Sequence, residues 1–301
     1  MSIVVVGSVF FDTIETPQGR AERVLGGAAT HFALAASFFA PVRMVAAVGD
    51  DFGDEELEAH RARGVDLEGV QRRAGTTGRW TGRYHDNMNV RDTLDLDLGV
   101  FADFQPRLPA SYRGAEYLFL GNIDPVLQEN VLEQLDRPAV VACDTMDHWI
   151  HNARPALEKL LRRVEILMIN DEEARLLSGE YNLVRAARRI LGMGPTSLLI
   201  KRGEYGVIHF AADSVFAVPA FPLEEVFDPT GAGDAFAGGF MGSIARAGSL
   251  TEREVRRAVV YGSVLGSFIV EDFGFRRLAR LTLEEIERRY RQFVALTNTG
   301  D

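Results

Sequence analysis

The chain has 301 residues, 47% of them hydrophobic and 25% charged, the balance of a folded globular protein and not of a disordered one. Its 33 Lys and Arg against 43 Asp and Glu leave a formal charge of −10, which argues against general affinity for nucleic acid or anionic membranes and makes any phosphate site a local feature. A single cysteine, Cys143, excludes an intramolecular disulfide framework and a multi-cysteine metal cluster, and reads as a buried thiol in a reducing compartment.

In chain order, the apolar run Ile3, Val4, Val5, Val6 comes first. No basic leader precedes it and Asp12 arrives too early for a secretory core, so the expectation is a cytoplasmic protein. The longest mostly apolar stretch, 259–270, is broken by Gly262, Ser263, Gly266 and Ser267 and is too short to span a bilayer. Val, Ile and Leu runs recur at 42–48, 117–120, 139–143, 166–169 and 197–201 and read as buried parallel strands. Amphipathic segments of helical length lie among them at 28–39, 54–63, 128–135, 155–163 and 183–191. This alternation predicts an α/β fold: a doubly wound, mostly parallel sheet flanked by helices.

Two segments break the rhythm. In 10–24 the alternating Thr13, Ile14, Glu15, Thr16 meets a Pro17-Gln18-Gly19 turn, and in 93–98 leucine alternates strictly with polar residues. Together 10–24 and 77–100 predict a small antiparallel β flap, a discontinuous lid on a core made of 1–9, 25–76 and 101–301. The acidic face of Asp95 and Asp97 reads as solvated edge protection, with a homodimer contact through the flap as the alternative. The C-terminal third reads as helices, with Thr251 and Thr282 as N-caps before acidic first turns.

The most informative stretch is Asp228-Pro229-Thr230-Gly231-Ala232-Gly233-Asp234. Pro229 holds Asp228 extended, the two glycines permit backbone angles closed to other residues, and a helix follows. Such a sequence makes a nest of amides at a helix N-terminus, a site for phosphoryl oxygens. A carboxylate at its mouth, Asp234, is placed to take the proton of an attacking hydroxyl.

This string resembles the C-terminal signature of the ribokinase-like, or PfkB, family of carbohydrate and nucleoside kinases. Gly26-Gly27-Ala28-Ala29-Thr30-His31, ahead of an Ala-rich helix, falls where that family has its N-terminal glycine pair. The similarity in motif order runs from Gly7 to about Gly274. It implies an ATP-dependent kinase that phosphorylates a hydroxyl of a small polyol such as a sugar, with a nucleoside or inositol as alternative acceptors. Asp234 is the implied general base, with Gly231, Ala232 and Gly233 as the anion hole. Asp12, Gly26, Gly27 and His31 are implied to bind the acceptor. A carboxylate suits this role because it accepts two hydroxyl protons.

On the nucleotide side, Asn170 and Glu173 resemble the family's Asn-x-x-Glu element, which organises Mg²⁺ through water; the same residues also read as a helix N-terminus with an acidic first turn. Lys201, Gly203 and Gly206 resemble its strand-end glycine turn beside ATP, where Lys201 or Arg202 can neutralise phosphate charge. Ser263 falls in the region that lines the adenine pocket; Gly262 and Ser263 equally suit close helix packing. Asp228 and Thr230 match positions that lie beside a monovalent cation in some family members.

The chain departs from the family at His31, where an Asn is common, and in its polar flap. There Arg83 and Arg91 suit a phosphorylated acceptor, while Trp80 or Tyr84 suits stacking on a base. The six histidines lack metal-ligand spacing, so no catalytic zinc is expected. Gly7 to Asp12 lacks the dinucleotide-binding glycine pattern, and no Gly-Lys-Ser or Gly-Lys-Thr is present. A catalytically silent ligand sensor of the same fold stays as the competing class.

Overall fold

A computed structural model describes residues 1–297; the last four residues of the expected 101–301 segment lie outside the described residues. The chain begins with β1 (Ile3–Val6), all four residues buried, then makes an excursion through β2 (Phe10–Thr16) and β3 (Gly19–Gly26) before α1 (Ala28–Ala36) returns it to β4 (Val42–Val48). After the short α2 (Glu58–Ala62) and β5 (Asp66–Arg72), a second excursion forms β6 (Gly78–Tyr84) and β7 (Arg91–Asp97). The rest alternates: β8 (Tyr117–Leu120), α3 (Pro125–Leu132), β9 (Val140–Asp144), α4 (Asp147–Asn152), α5 (Arg154–Leu161) and β10 (Ile166–Asn170). Then come α6 (Asp171–Ser178), α7 (Leu183–Leu191), β11 (Ser197–Lys201), β12 (Val207–Ala211) and β13 (Val215–Val218). Four helices close the chain: α8 (Ala232–Ala247), α9 (Glu252–Ile269), α10 (Arg276–Arg280) and α11 (Leu283–Thr297).

Nine strands form one sheet in the order β13-β12-β11-β10-β9-β8-β1-β4-β5, parallel except at one edge, where β12 runs antiparallel to both β11 and β13. Ile3 sits in register with Val42 on one side and Tyr117 on the other, so the chain reverses its direction of winding at β1. Ligands bind at such a reversal, outside the carboxyl ends of the strands. The period of two in β1 sorts its side chains: Ile3 and Val5 join α1, α8 and α9 in one layer, Val4 and Val6 join α3, α5 and α7 in the other. Both faces are therefore covered, and the apolar runs legible in the sequence are what a doubly covered parallel strand requires. Cys143 lies in the second layer, fully buried, its thiol pushed up by burial and by the neighbouring charge of Asp144.

A second sheet has the order β3-β2-β6-β7. Its outer pairs are antiparallel, but its central pair β2–β6 is parallel, with Phe10 opposite Gly78 and Asp12 opposite Trp80. The small flap sheet expected from the sequence is thus present, with its two strand pairs at the edges antiparallel and its central pair parallel. The strands preceding the two excursions, β1 and β5, run the same way in the main sheet, so β2 and β6 leave its carboxyl edge in the same direction. β7 is exposed along its whole length, Leu94 and Leu96 at 45% and 53%, so its leucine alternation has no covered face among the described residues.

Candidate active site

The loop between β13 and α8 is held by Asp228, which is fully buried. Its Oδ1 accepts the Thr230 N–H at 2.8 Å and its Oδ2 accepts the Gly274 N–H at 2.8 Å, tying the loop to the turn after α9. Gly231 caps α8 in the left-handed region at φ 77°, and a Cβ there would lie 2.3 Å from Cδ2 of His31, so glycine is required on both counts. The Ala232 N–H turns back onto the Pro229 carbonyl at 3.2 Å. The amides of Gly233 and Asp234 therefore remain as donors at the positive end of a 16-residue helix, and the Ala232 amide does not join them. The reason is local: the tight turn at Gly231 brings residue 232 within reach of the carbonyl three positions back.

Asp234 stands in this first turn, its carboxyl pushed up to about 7 by burial and then by the charge of Asp144, against the pull of Lys201 and Arg91. Lys201, at the carboxyl end of β11, lies under the loop: a Cβ on Gly233 would sit 3.0 Å from Nζ. Burial alone would lower its ammonium, but Asp144, Glu173 and Asp234 outweigh this and hold it protonated. Asp144 was not singled out in the sequence. The signal was present, an acid closing an apolar strand run in the same way as Asn170, and Asp144 Oδ2 accepts from Lys201 Nζ at 3.2 Å.

Asp12 approaches the loop from β2. It is 4% exposed, and its carboxyl, pushed up to about 8, responds first to burial and then to the charges of Asp228 and Asp234. It rests on Gly26, where a Cβ would meet Oδ2 at 1.9 Å. Gly27 next to it packs on the Ser8 carbonyl and leads into α1. His31 is 1% exposed and neither ring nitrogen has a hydrogen-bond partner among the described residues. Burial, and then the neighbouring His60, hold its imidazole neutral, down to about 4. A buried imidazole with two open nitrogens beside the Gly231 turn is ready to meet a ligand with both a donor and an acceptor.

The flap supplies the facing wall. Tyr84 Oη and Thr230 Oγ1 lie 3.1 Å apart. Arg91 is in register with Tyr84 and acts electrostatically on Asp12 and Asp234, so it faces the cleft. Arg83 precedes Tyr84 and therefore points to the other side of the sheet, where it pairs with Glu15 at 2.8 Å. Trp80 lies against Gly82, where a Cβ would meet its ring at 2.0 Å, and its Nε1 donates to Thr93 Oγ1 at 3.2 Å. With Met88 and Phe273 it packs on the buried Ile14, Val24 and Tyr84, an apolar wall next to Asp12.

On the other side, Asn170 and Glu173 form a reciprocal capping box on α6, with 2.8 Å for each bond. This occupies Oε2 of Glu173; burial, then the charge of Asp144, raise this carboxyl against the pull of Lys201. No group of three or more His, Cys, Asp or Glu suited to holding a metal occurs among the described residues. The site thus fits Mg²⁺ only as an ion that arrives on phosphates and keeps its waters, with Glu173 and Asn170 as acceptors. Gly203 and Gly206 bracket a tight turn, closed by the Arg202 N–H on the Gly206 carbonyl at 2.8 Å. The flap tip reaches it, Asn89 Nδ2 donating to Glu204 Oε1 at 3.1 Å. Ser263 donates back to the Val259 carbonyl at 3.0 Å. Gly262 serves close packing, since a Cβ would meet Phe236 at 2.8 Å.

A doubly wound sheet with an amide nest and a carboxylate at its carboxyl edge, roofed by a small second sheet, defines a phosphoryl-transfer enzyme. The chain belongs to the pfkB family of carbohydrate kinases, whose pattern it matches over residues 1–279. It is thus a phosphotransferase acting on an alcohol group. Over 257 residues it is 34% identical to the cytidine kinase of Thermococcus kodakarensis, covering 84% of this chain and 91% of the relative. It is 27% identical to the ribokinase of Bacillus subtilis, covering 91% and 94%. Among solved structures, a candidate ribokinase II from E. coli in complex with ATP and Mg²⁺ superposes with a TM-score of 0.79 at 22% identity, covering 97% of this chain and 99% of that one. No helix among the described residues is long and apolar enough to cross a membrane.

Proposed function

We propose that this kinase transfers the terminal phosphoryl group of ATP to a hydroxyl of a nucleoside. The observation that carries the reading is the pairing of Asp12, a reader of hydroxyls, with the apolar wall of Trp80, Met88 and Phe273. An acceptor with a polyol at one end and a flat ring at the other fits both, whereas a free sugar or an inositol leaves the wall unused. The 34% identity to a cytidine kinase supports the same choice. A phosphorylated acceptor is disfavoured because one of the two flap arginines is turned away.

In this reading the ribose hydroxyls bind Asp12 and His31 against Gly26 and Gly27. Asp234 takes the proton of the attacking hydroxyl as it bonds to phosphorus, which contributes roughly 100- to 10,000-fold in rate. The amides of Gly233 and Asp234 and the ammonium of Lys201 stabilise the charge on the transferring group. The 203–206 turn and the α9 face near Ser263 border the nucleotide. Glu173 and Asn170 are the residues that would hold the waters of an Mg²⁺ ion brought in on ATP, which would supply neutralisation of phosphate charge. A monovalent cation beside Asp228 and Thr230 belongs to the same proposal, as does a homodimer through the exposed β7, and neither nucleic acid nor membrane is a partner.

The test is acceptor-stimulated ADP release with nucleosides, free pentoses, hexoses and inositols at millimolar Mg²⁺. The proposal expects nucleosides to give the highest kcat/KM. Preference for a free sugar would overturn the nucleoside assignment, and ligand binding without ADP release would identify a sensor.

A further inference from the structure

Asp144 belongs to none of the motifs that mark the site, yet it is built into it. It closes β9, is 7% exposed, and lies two strands from Lys201 in the sheet order β11-β10-β9. Gln128, buried beneath, fixes the strand end by donating Nε2 to the carbonyls of Gly121 at 2.8 Å and Asp144 at 3.1 Å. The Asp144 carboxylate is fixed in turn: Oδ1 accepts the Thr145 N–H at 2.8 Å and Oδ2 accepts Lys201 Nζ at 3.2 Å. The Lys201 ammonium is thus held between a rigid carboxylate and the underside of Gly233, the residue whose amide is open at the start of α8.

A lysine is a point charge on a flexible four-carbon stem, and its usefulness to a phosphoryl group depends on where the stem is held. In a cleft that already contains the carboxyls of Glu173 and Asp234, an unanchored ammonium has competing partners. We propose that Asp144 is a positioning residue for phosphoryl transfer, holding the Lys201 ammonium beneath Gly233 so that it meets the phosphate oxygens in the transition state. The proposal rests on the reading of 228–234 as the phosphoryl site. It predicts that Asp144 acts through Lys201 and has little effect once Lys201 is gone.

The experiment is a double-mutant cycle on kcat and KM with cytidine and ATP, using Asp144→Asn, Lys201→Met and the pair, with Asp144→Glu as the conservative variant. Asp144→Asn is expected to lower kcat about 10- to 100-fold while both KM values stay within about threefold. Asp144→Glu, which keeps a carboxylate, recovers part of that loss. The pair falls no further than Lys201→Met alone, within about threefold. Losses that multiply, or an unchanged kcat in Asp144→Asn, would overturn the proposal. Should Asp144→Asn fail to fold, the cycle with Asp144→Ser and Lys201→Met is judged by the same rule. Turnover retained in Asp234→Asn defeats the base assignment instead, and leaves the Asp144–Lys201 cycle readable. A wild-type enzyme that turns over neither cytidine nor any other acceptor defeats both readings.

Discussion

The hydroxyls of Tyr84 and Thr230 stand 3.1 Å apart, and through them the flap is bonded to the loop proposed to receive the phosphoryl group. In the proposed mechanism, acceptor enclosure and phosphoryl positioning therefore share one contact. Replacing Tyr84 by Phe removes one neutral hydrogen bond, worth about 1 kcal/mol. We predict a fall of about fivefold in kcat/KM for the acceptor, with a melting temperature near that of the wild type. Steady-state kinetics alongside a thermal melt checks this.

Trp80 offers its ring next to Asp12, so its loss should be felt by nucleosides more than by free sugars. For Trp80→Ala we predict a loss of roughly 1–3 kcal/mol in nucleoside binding, the range for base stacking on an aromatic. Calorimetric titration of nucleoside and free ribose into both proteins measures the difference. Equal losses for the two ligands would place Trp80 outside a base pocket.

Gly231→Ala must strain a left-handed backbone and displace the ring of His31. The variant is expected to lose at least about 100-fold in kcat, the scale of losing a preorganised donor, and to melt lower than the wild type. A variant of normal kcat would show that the loop does not need this geometry.

The pH dependence follows from two raised carboxyls. Asp234 acts as a base only when ionised, so kcat/KM should rise with pH through an acid limb near 7. Stability has the opposite slope. Between about 4 and 8 the folded chain keeps a proton on Asp12 that the unfolded chain has released, so this group's contribution weakens as pH rises through that window. Asp12→Asn removes the penalty. It should melt above the wild type at pH 8, by at least about 2 °C, with the difference shrinking toward pH 5.

Much of this was legible in the sequence. The strands from β1 to β11 that lie inside the sheet are apolar runs because both faces are covered, and the 228–234 string announces its own turn and helix. What escaped was written in weaker chemistry. β5, with Asp66, Glu68, Gln71 and Arg72, is an edge strand, and half-exposed edges carry no apolar run. The parallel β2–β6 pairing depends on the path of β1 and β5, which no local pattern encodes. Asp144 gains its meaning only from Lys201, 57 residues later, and Arg83 and Arg91 look alike until the β6–β7 register separates them. His31 is visible as a departure from its family, but its two open ring nitrogens are a property of the packing.

The proposed chemistry depends above all on Asp234, which takes the acceptor's proton beside amides that hold the phosphoryl group. Single-turnover phosphoryl transfer in Asp234→Asn, with ATP affinity measured on the same preparation, tests it most directly. ATP binding is expected to stay within a few-fold of the wild type and the transfer rate to fall by at least about 100-fold. Transfer at the wild-type rate would contradict it.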